Sequence, residues 1–296
     1  MTGQIGQQNA LDVVRLHRPV PPTNRDTDDP VEEPVAPIVG EITRARAAAT
    51  LRFRLFFILT WVAIIGGLGV ALARSGKVDA GFLGEWAPFI LGGVGVTIFV
   101  SVASILLALV FAVFGALGRL SRVAPIYAIA TLYVSLIRGT PLIVQIIFIY
   151  IGLPQFGIVL DPLAGGILAL ALNYGAYLTE IFRAGIEAIP HGQREAAEAL
   201  GMTEARTMRK VILPQAVRIV IPAIGNDFIS MTKDSALVSL VTIEELFWRA
   251  ESVGTRTFRS FETLLLAAAV YWVMTLVLSF FQERLEKRLA QSDVRI

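Results

Sequence analysis

Cysteine is absent from the 296-residue sequence, and histidine occurs only twice, at His17 and His191. The first absence excludes disulfides, iron–sulfur clusters and thiolate metal sites. The second excludes a histidine-based metal centre or paired haem ligation, because the two imidazoles lie in different parts of the chain. Charge is scarce as well: 17% of residues are charged, against about 25% in a soluble domain. No Gly-x-x-x-x-Gly-Lys-Ser/Thr phosphate loop, Gly-x-Ser-x-Gly elbow or His-Glu-x-x-His pair occurs, so the motifs of nucleotide hydrolysis, serine esterases and zinc proteases are missing. A membrane enzyme would have to work with carboxylates and serines alone. What the sequence does have is apolar residues, 55% of the total, above the about 45–50% of soluble domains. The net charge of +2 is small for the length and does not point to nucleic acid.

Residues 1–50 read as a disordered tail. Pro19, Pro21, Pro22, Pro30, Pro34 and Pro37 interrupt helices there, and Asp26, Asp28, Asp29, Glu32 and Glu33 form an acidic cluster. Such a stretch has too little apolar surface to offset the entropy of ordering. Beyond it the chain alternates apolar runs with charged punctuation. A helix of about 20 residues crosses the hydrocarbon core, and six runs qualify. They are Leu55–Ala73, Trp86–Gly118, Val123–Gly152 with Arg138 near its middle, Pro162–Ile186, Gln215–Val241 and Thr263–Gln282. The fifth is divided by Arg218, Asp227, Lys233 and Asp234, and Pro222 with Gly225 predicts a break in it. The fold class that follows is an all-α polytopic membrane protein with about six spans.

Basic residues set the orientation. With a cytoplasmic N-terminus, the inner segments carry Arg44, Arg46, Arg52 and Arg54, then Arg119 and Arg122. The richest inner loop then holds Arg183, Arg194, Arg206, Arg209, Lys210 and Arg218, and the tail from 285 to 296 adds Lys287, Arg288 and Arg295. The reverse orientation would place the richest loop outside, against the positive-inside bias. Both termini are therefore expected in the cytoplasm. The last outer loop, Ile243 to Glu262, is mixed in charge and contains Phe247 and Trp248. It reads as an amphipathic segment at the outer interface.

The inner loop at 190–214 carries the most information. Pro190 and Gly192 make a turn, and Gln193 to Leu200 are good helix formers. Gly201 falls where a helix end adopts the left-handed conformation. Thr203 is a plausible N-cap for a second short helix that Pro214 closes. Ala196, Ala197, Ala199 and Leu200 give the first helix a small-residue side open to close approach, ringed by Glu195, Glu198, Glu204, Arg206, Arg209 and Lys210.

Glu195-Ala196-Ala197, three residues, Gly201, nine residues and Val211-Ile212-Leu213-Pro214 resemble the EAA loop of binding-protein-dependent ABC importer permeases. Val211 is a conservative departure from the isoleucine usual there. Arg138-Gly139-Thr140-Pro141-Leu142-Ile143-Val144-Gln145, Gly175 to Arg183 and Gly225 to Ser230 resemble the polar amino-acid branch of that family. The resemblance covers residues 86–284. It implies a five-helix core, to which the span within 51–74 is an addition. It further implies that Glu195, Ala196, Ala197, Gly201, Leu213 and Pro214 couple the chain to cytoplasmic ATPase subunits, which would hold ATP and Mg. A second permease subunit, identical or related, would complete the pore, and an extracytoplasmic binding protein would deliver the solute. On that reading the chain is not an enzyme, binds no cofactor or metal, and belongs in the cell membrane.

Ionisable groups at membrane depth mark solute paths. Arg138, Thr140, Gln145, Glu180, Asn226 and Asp227 are the candidates. Arg138 would attract a carboxylate or else pair with Glu180 or Asp227; Glu180 and Arg183 also fit a local pair at helical spacing. Lys233 and Asp234 would mark the outer interface. A stand-alone secondary carrier or channel for small polar solutes shares these features, and differs in needing no ATPase.

Overall fold

The structure, a computed structural model, describes residues 35–291, with side-chain surroundings from 49 to 289. Every regular element among the described residues is helical, as a chain in lipid requires unless it closes a barrel.

The first helix, α1, runs over Val35–Arg74 and corrects the expectation of a tail reaching residue 50. Pro37 is its third residue. Amide groups of the first turn have no acceptor within the helix, so a proline there forfeits no hydrogen bond. The Ala47-Ala48-Ala49 run that follows then favours helix. The acidic cluster and the earlier prolines lie outside the described residues. The described residues up to Ala71 and those from Leu72 onward fall into separate units.

The second unit begins with α2 (Ala80–Leu91) and α3 (Gly93–Arg119), followed by α4 (Ala124–Arg138) and α5 (Leu142–Ile147). A π turn, Phe148–Gly152, and a 3-10 turn, Leu153–Phe156, prolong α5. Then come α6 (Pro162–Glu187), α7 (His191–Ala199), α8 (Glu204–Thr207), α9 (Leu213–Asp234), α10 (Leu246–Thr257) and α11 (Ser260–Gln291). The stretches Ala49–Arg74, Ala80–Arg119, Glu204–Val241 and Ser260–Leu289 are long and apolar enough to cross a membrane, and α4 with the 142–156 segment counts as a fifth if that bent pair is one span. α6 has 26 residues, about 39 Å at helical rise, but Asn173, Tyr174, Tyr177 and Glu180 interrupt its apolar run. It tolerates them because it is packed against α3, α4, α5 and α9, where polar groups find protein partners.

The main core joins α3 and α6 through Val100, Ile105, Ala108, Ala112, Leu170, Tyr174 and Leu178. Their approach is close enough that a Cβ on Gly115 would sit 2.2 Å from the Thr179 Oγ1. Small residues let backbones meet in this way where no hydrophobic effect drives association between helices.

Two helix breaks differ from expectation. α9 passes through Pro222 without interruption. The Gln282 side chain of α11 donates to the Pro222 carbonyl at 3.2 Å and lies against Gly225, so a neighbouring helix supports the position. The break falls in the third span instead. α4 ends at Arg138, and the chain turns by 107° through Gly139, Thr140 and Pro141 before α5. Arg138 therefore stands at a helix end, beside the bend of that pair. Proline disfavours α geometry in the residue before it, and Pro141 has the extended conformation of an N-cap.

The outer segment forms α10 as expected, burying Leu246, Ala250 and Val253 against Ile90 and Ala267. Glu245 caps it: the fully buried carboxylate accepts from the Trp248 amide at 2.7 Å, the Thr97 hydroxyl at 3.2 Å and the Tyr271 hydroxyl at 2.5 Å. Asp79 caps α2, accepting from the amides of Gly81 and Phe82, and pairs with Arg259 at 3.2 Å. The Phe82 amide, with Arg259 and the Gly81 amide, holds the Asp79 carboxyl below the usual carboxylate range.

Candidate functional site

The bend after α4 creates a polar site. The C-terminal end of α4 and the turn after it would leave backbone carbonyls unsatisfied, and Gln145, 8% exposed, fills the need. The Gln145 Nε2 reaches the Ile137 carbonyl at 2.7 Å, the Thr140 carbonyl at 3.1 Å and the Thr140 Oγ1 at 2.9 Å. Its Oε1 accepts from Asn173 of α6 at 3.1 Å. The bend is thus tied to α6 by one buried amide pair.

Beside it lies a cavity of about 510 Å³, bounded by Arg138 to Leu142, by Asn173, Tyr174 and Tyr177 of α6, and by Asp227, Ser230 and Asp234 of α9. It falls in the size range of about 300–1,000 Å³ that holds small ligands. Three elements supply three kinds of group. The Arg138 guanidinium lies 5.1 Å from the centre of the Tyr177 ring, a cation–π geometry. Asp234 accepts from the Tyr174 hydroxyl at 2.7 Å. Asp227 Oδ2 is buried without a hydrogen-bond partner.

Of the six residues expected along a solute path, the cavity gathers Arg138, Thr140 and Asp227, and Gln145 braces it from behind. Asn226 is exposed on another face of α9. Glu180 belongs to a different group: it accepts from Arg119 of α3 at 3.1 Å and from Arg183 at 2.8 Å, while Arg119 also donates to Thr131 of α4 at 2.7 Å. Arg138 forms no ion pair with Glu180 or Asp227 among the described residues. Asp234, expected at the outer interface, lines the cavity. Asn173, Tyr174 and Ser230 were not anticipated. Their signal was spacing: Asn173 and Tyr177 stand four apart, and Asp227, Ser230 and Asp234 fall three and four apart, each set on one helix face.

The second feature is the 190–214 loop. α7 ends in a Schellman motif: Gly201 has φ +72°, its amide bonds the Glu198 carbonyl at 2.8 Å, and the Met202 amide bonds the Ala197 carbonyl at 3.0 Å. Ala197 turns inward, leaving Glu195, Ala196, Ala199 and Leu200 exposed. Thr203 is the N-cap of α8 as expected, its carbonyl accepting from the Thr207 amide at 2.8 Å, although its side chain makes no cap bond. Pro214 departs from expectation and closes nothing. α8 passes through a π turn, Met208–Ile212, straight into α9, whose second residue is Pro214. A proline in that first turn is tolerated when the preceding turn widens. Ile212 and Ala216 anchor the junction against Ile189. The loop is therefore continuous with the helix that bears Asp227, Ser230 and Asp234.

A family described as the binding-protein-dependent transport system inner membrane component matches residues 104–291, well over half of the chain. The chain belongs to this family. Among relatives, the L-cystine transport system permease protein TcyB of Bacillus subtilis is 41% identical over 203 residues, covering 68% of this chain and 87% of that protein. The arginine transport system permease protein ArtQ of the same organism is 39% identical over 207 residues, covering 70% and 94%. The crystal structure of an amino acid ABC transporter with histidines superposes with a TM-score of 0.69 at 41% identity, covering 71% of this chain and 99% of that one. The chain is thus a multi-pass membrane permease subunit, not an enzyme; ATP hydrolysis in such importers lies on separate subunits, and the family works with ATPase and binding-protein partners.

Proposed function

We propose that this permease imports polar amino acids through the cavity at the α4–α5 bend. The observation that carries the reading is the meeting there of a guanidinium and a buried carboxylate oxygen, neither with an ion-pair or hydrogen-bond partner among the described residues, and an amide-braced backbone turn. An amino-acid zwitterion needs a cation for its carboxylate and an anion for its ammonium, and Arg138 and Asp227 supply one of each. The names of the relatives, for cystine, arginine and glutamine, support the solute class.

The 190–214 loop is the coupling element. Glu195, Ala196 and Gly201 lie on the face offered to a cytoplasmic ATPase, which holds ATP and Mg; Ala197 seats α7 on the protein beneath, and Leu213 and Pro214 begin the helix that carries motion to the cavity. Two permease subunits, identical or related, complete the pore. The distribution of Lys and Arg supports a cytoplasmic position for both termini. Residues 51–74 anchor the chain as an addition to the 86–284 core.

The test is uptake by the reconstituted complex of permease, ATPase and binding protein in liposomes, screened across amino acids. Uptake should require ATP inside. Transport by the permease alone, driven by an ion gradient, would refute the reading in favour of a secondary carrier. Arg138→Ala should abolish uptake while the complex assembles in normal yield, because Arg138 holds no ion pair whose loss would strand a charge.

A further inference from the structure

The charges of the cavity do not balance. Two carboxylates, Asp227 and Asp234, face it against one guanidinium, Arg138, and the neighbouring Lys233 is exposed outside the lining. A neutral zwitterion carries one positive and one negative group, so after it binds, one carboxylate would still lack a counter-charge among the groups lining the cavity. Leaving a half-buried carboxylate without a counter-charge is unfavourable. The partners already present do not resolve this. Tyr174 gives Asp234 one neutral hydrogen bond, and Asp227 Oδ2 has none. Ser230, at three residues from Asp227 and four from Asp234, adds only a hydroxyl to the same face. The Arg138 guanidinium stands over the face of Tyr177, which leaves its edge free for a carboxylate.

Resting on the amino-acid import proposed above, we infer that the cavity selects amino acids with a cationic side chain. Arg138 takes the α-carboxylate, Asp227 the α-ammonium and Asp234 the side-chain cation. The solute then brings two positive charges and one negative to a site with the opposite count, and every charged group is paired. An acidic amino acid would bring the reverse and be rejected, because like charges facing each other discriminate as effectively as attraction.

The experiment measures binding by the purified complex of permease and ATPase, without the binding protein, whose own preference would mask the cavity. The probes are radiolabelled arginine and citrulline, which share shape and differ in side-chain charge. Arginine should bind at least ~10-fold more tightly, as expected for one charge-assisted hydrogen bond. Asp234→Asn should bring the two affinities together by weakening arginine and leaving citrulline unchanged, and Asp234→Ser serves if that variant fails to assemble. Asp227→Asn should weaken both ligands alike, because both carry the α-ammonium. Equal binding of arginine and citrulline to the unaltered complex, tighter binding of glutamate, or a preference that survives the Asp234 substitution overturns the inference. ATP-driven uptake of neutral amino acids by the full importer would leave amino-acid import standing in that case. Absence of uptake for every amino acid, with ATPase activity intact, removes the reading beneath it as well.

Discussion

Replacing Gly201 with valine isolates the contribution of the loop's backbone. At φ +72°, Gly201 occupies a conformation in which a Cβ crowds its own backbone, while no atom beyond its chain neighbours lies within 4 Å of where that Cβ would stand. The penalty is therefore conformational, with no steric clash and no new contact to offset it. A left-handed residue with a side chain costs about 1–2 kcal/mol, and a β-branched one falls at the upper end. Since that is a factor of about 5–30 in a two-state equilibrium, the Schellman end of α7 would be formed in a minority of molecules if its local stability is of the same order. Membrane insertion and the α3–α6 core do not depend on it. The assay is ATP hydrolysis stimulated by loaded binding protein, measured beside uptake in the same liposomes. The valine variant should lose uptake per ATP hydrolysed by about that 5–30-fold factor. Gly201→Asn, which tolerates the left-handed region, should retain most of it. Gly157→Val supplies the control: Gly157 has φ +79° and equally open surroundings, but lies in the loop before α6. It should lower thermal stability and leave coupling unchanged. If Gly201→Val imports with the normal stoichiometry, the loop does not act as a rigid lever.

Close helix approach predicts a second contrast. A Cβ on Gly93 would sit 2.6 Å from the Leu246 backbone, whereas one on Gly95 meets nothing within 4 Å. Gly93→Ala should destabilise by about 1–3 kcal/mol as overpacking does, and Gly95→Ala should not, in thermal unfolding followed by size exclusion. Tyr271→Phe removes a donor from the buried Glu245 carboxylate and should lower stability by about 1–3 kcal/mol, read in the same way. The Asp79 carboxyl titrates below its unfolded value, so its stabilising effect is full above the unfolded pKa near 4 and is lost as pH falls through the lower, folded one. Thermal stability should be flat from neutral pH to about pH 5 for this group and then decline. Asp79→Asn should remove that part of the decline.

The sequence by itself determined the class of this protein. Uncharged runs of about 20 residues have only one inexpensive fate, a helix in lipid, and the Glu195-to-Pro214 spacing, with the Gly201 turn inside it, is local chemistry that survives in any tertiary setting. Local signals failed where a neighbour decides. Pro222 looked like a break, yet Gln282, 60 residues away in sequence, supports the helix there. The run from Val123 to Gly152 reads as one helix, yet it bends after Arg138, where Pro141 is extended and the Gln145–Asn173 pair braces the turn. Pro37 looked disruptive, yet it falls in a first turn. The cavity itself was beyond reach of periodicity: Arg138, Tyr177, Asp227 and Asp234 come from three helices, and only their packing shows that Asp227 faces it unpaired while Glu180 is already held by Arg119 and Arg183. A charge in the sequence announces that a partner is needed; which charges go without one is a property of the folded chain.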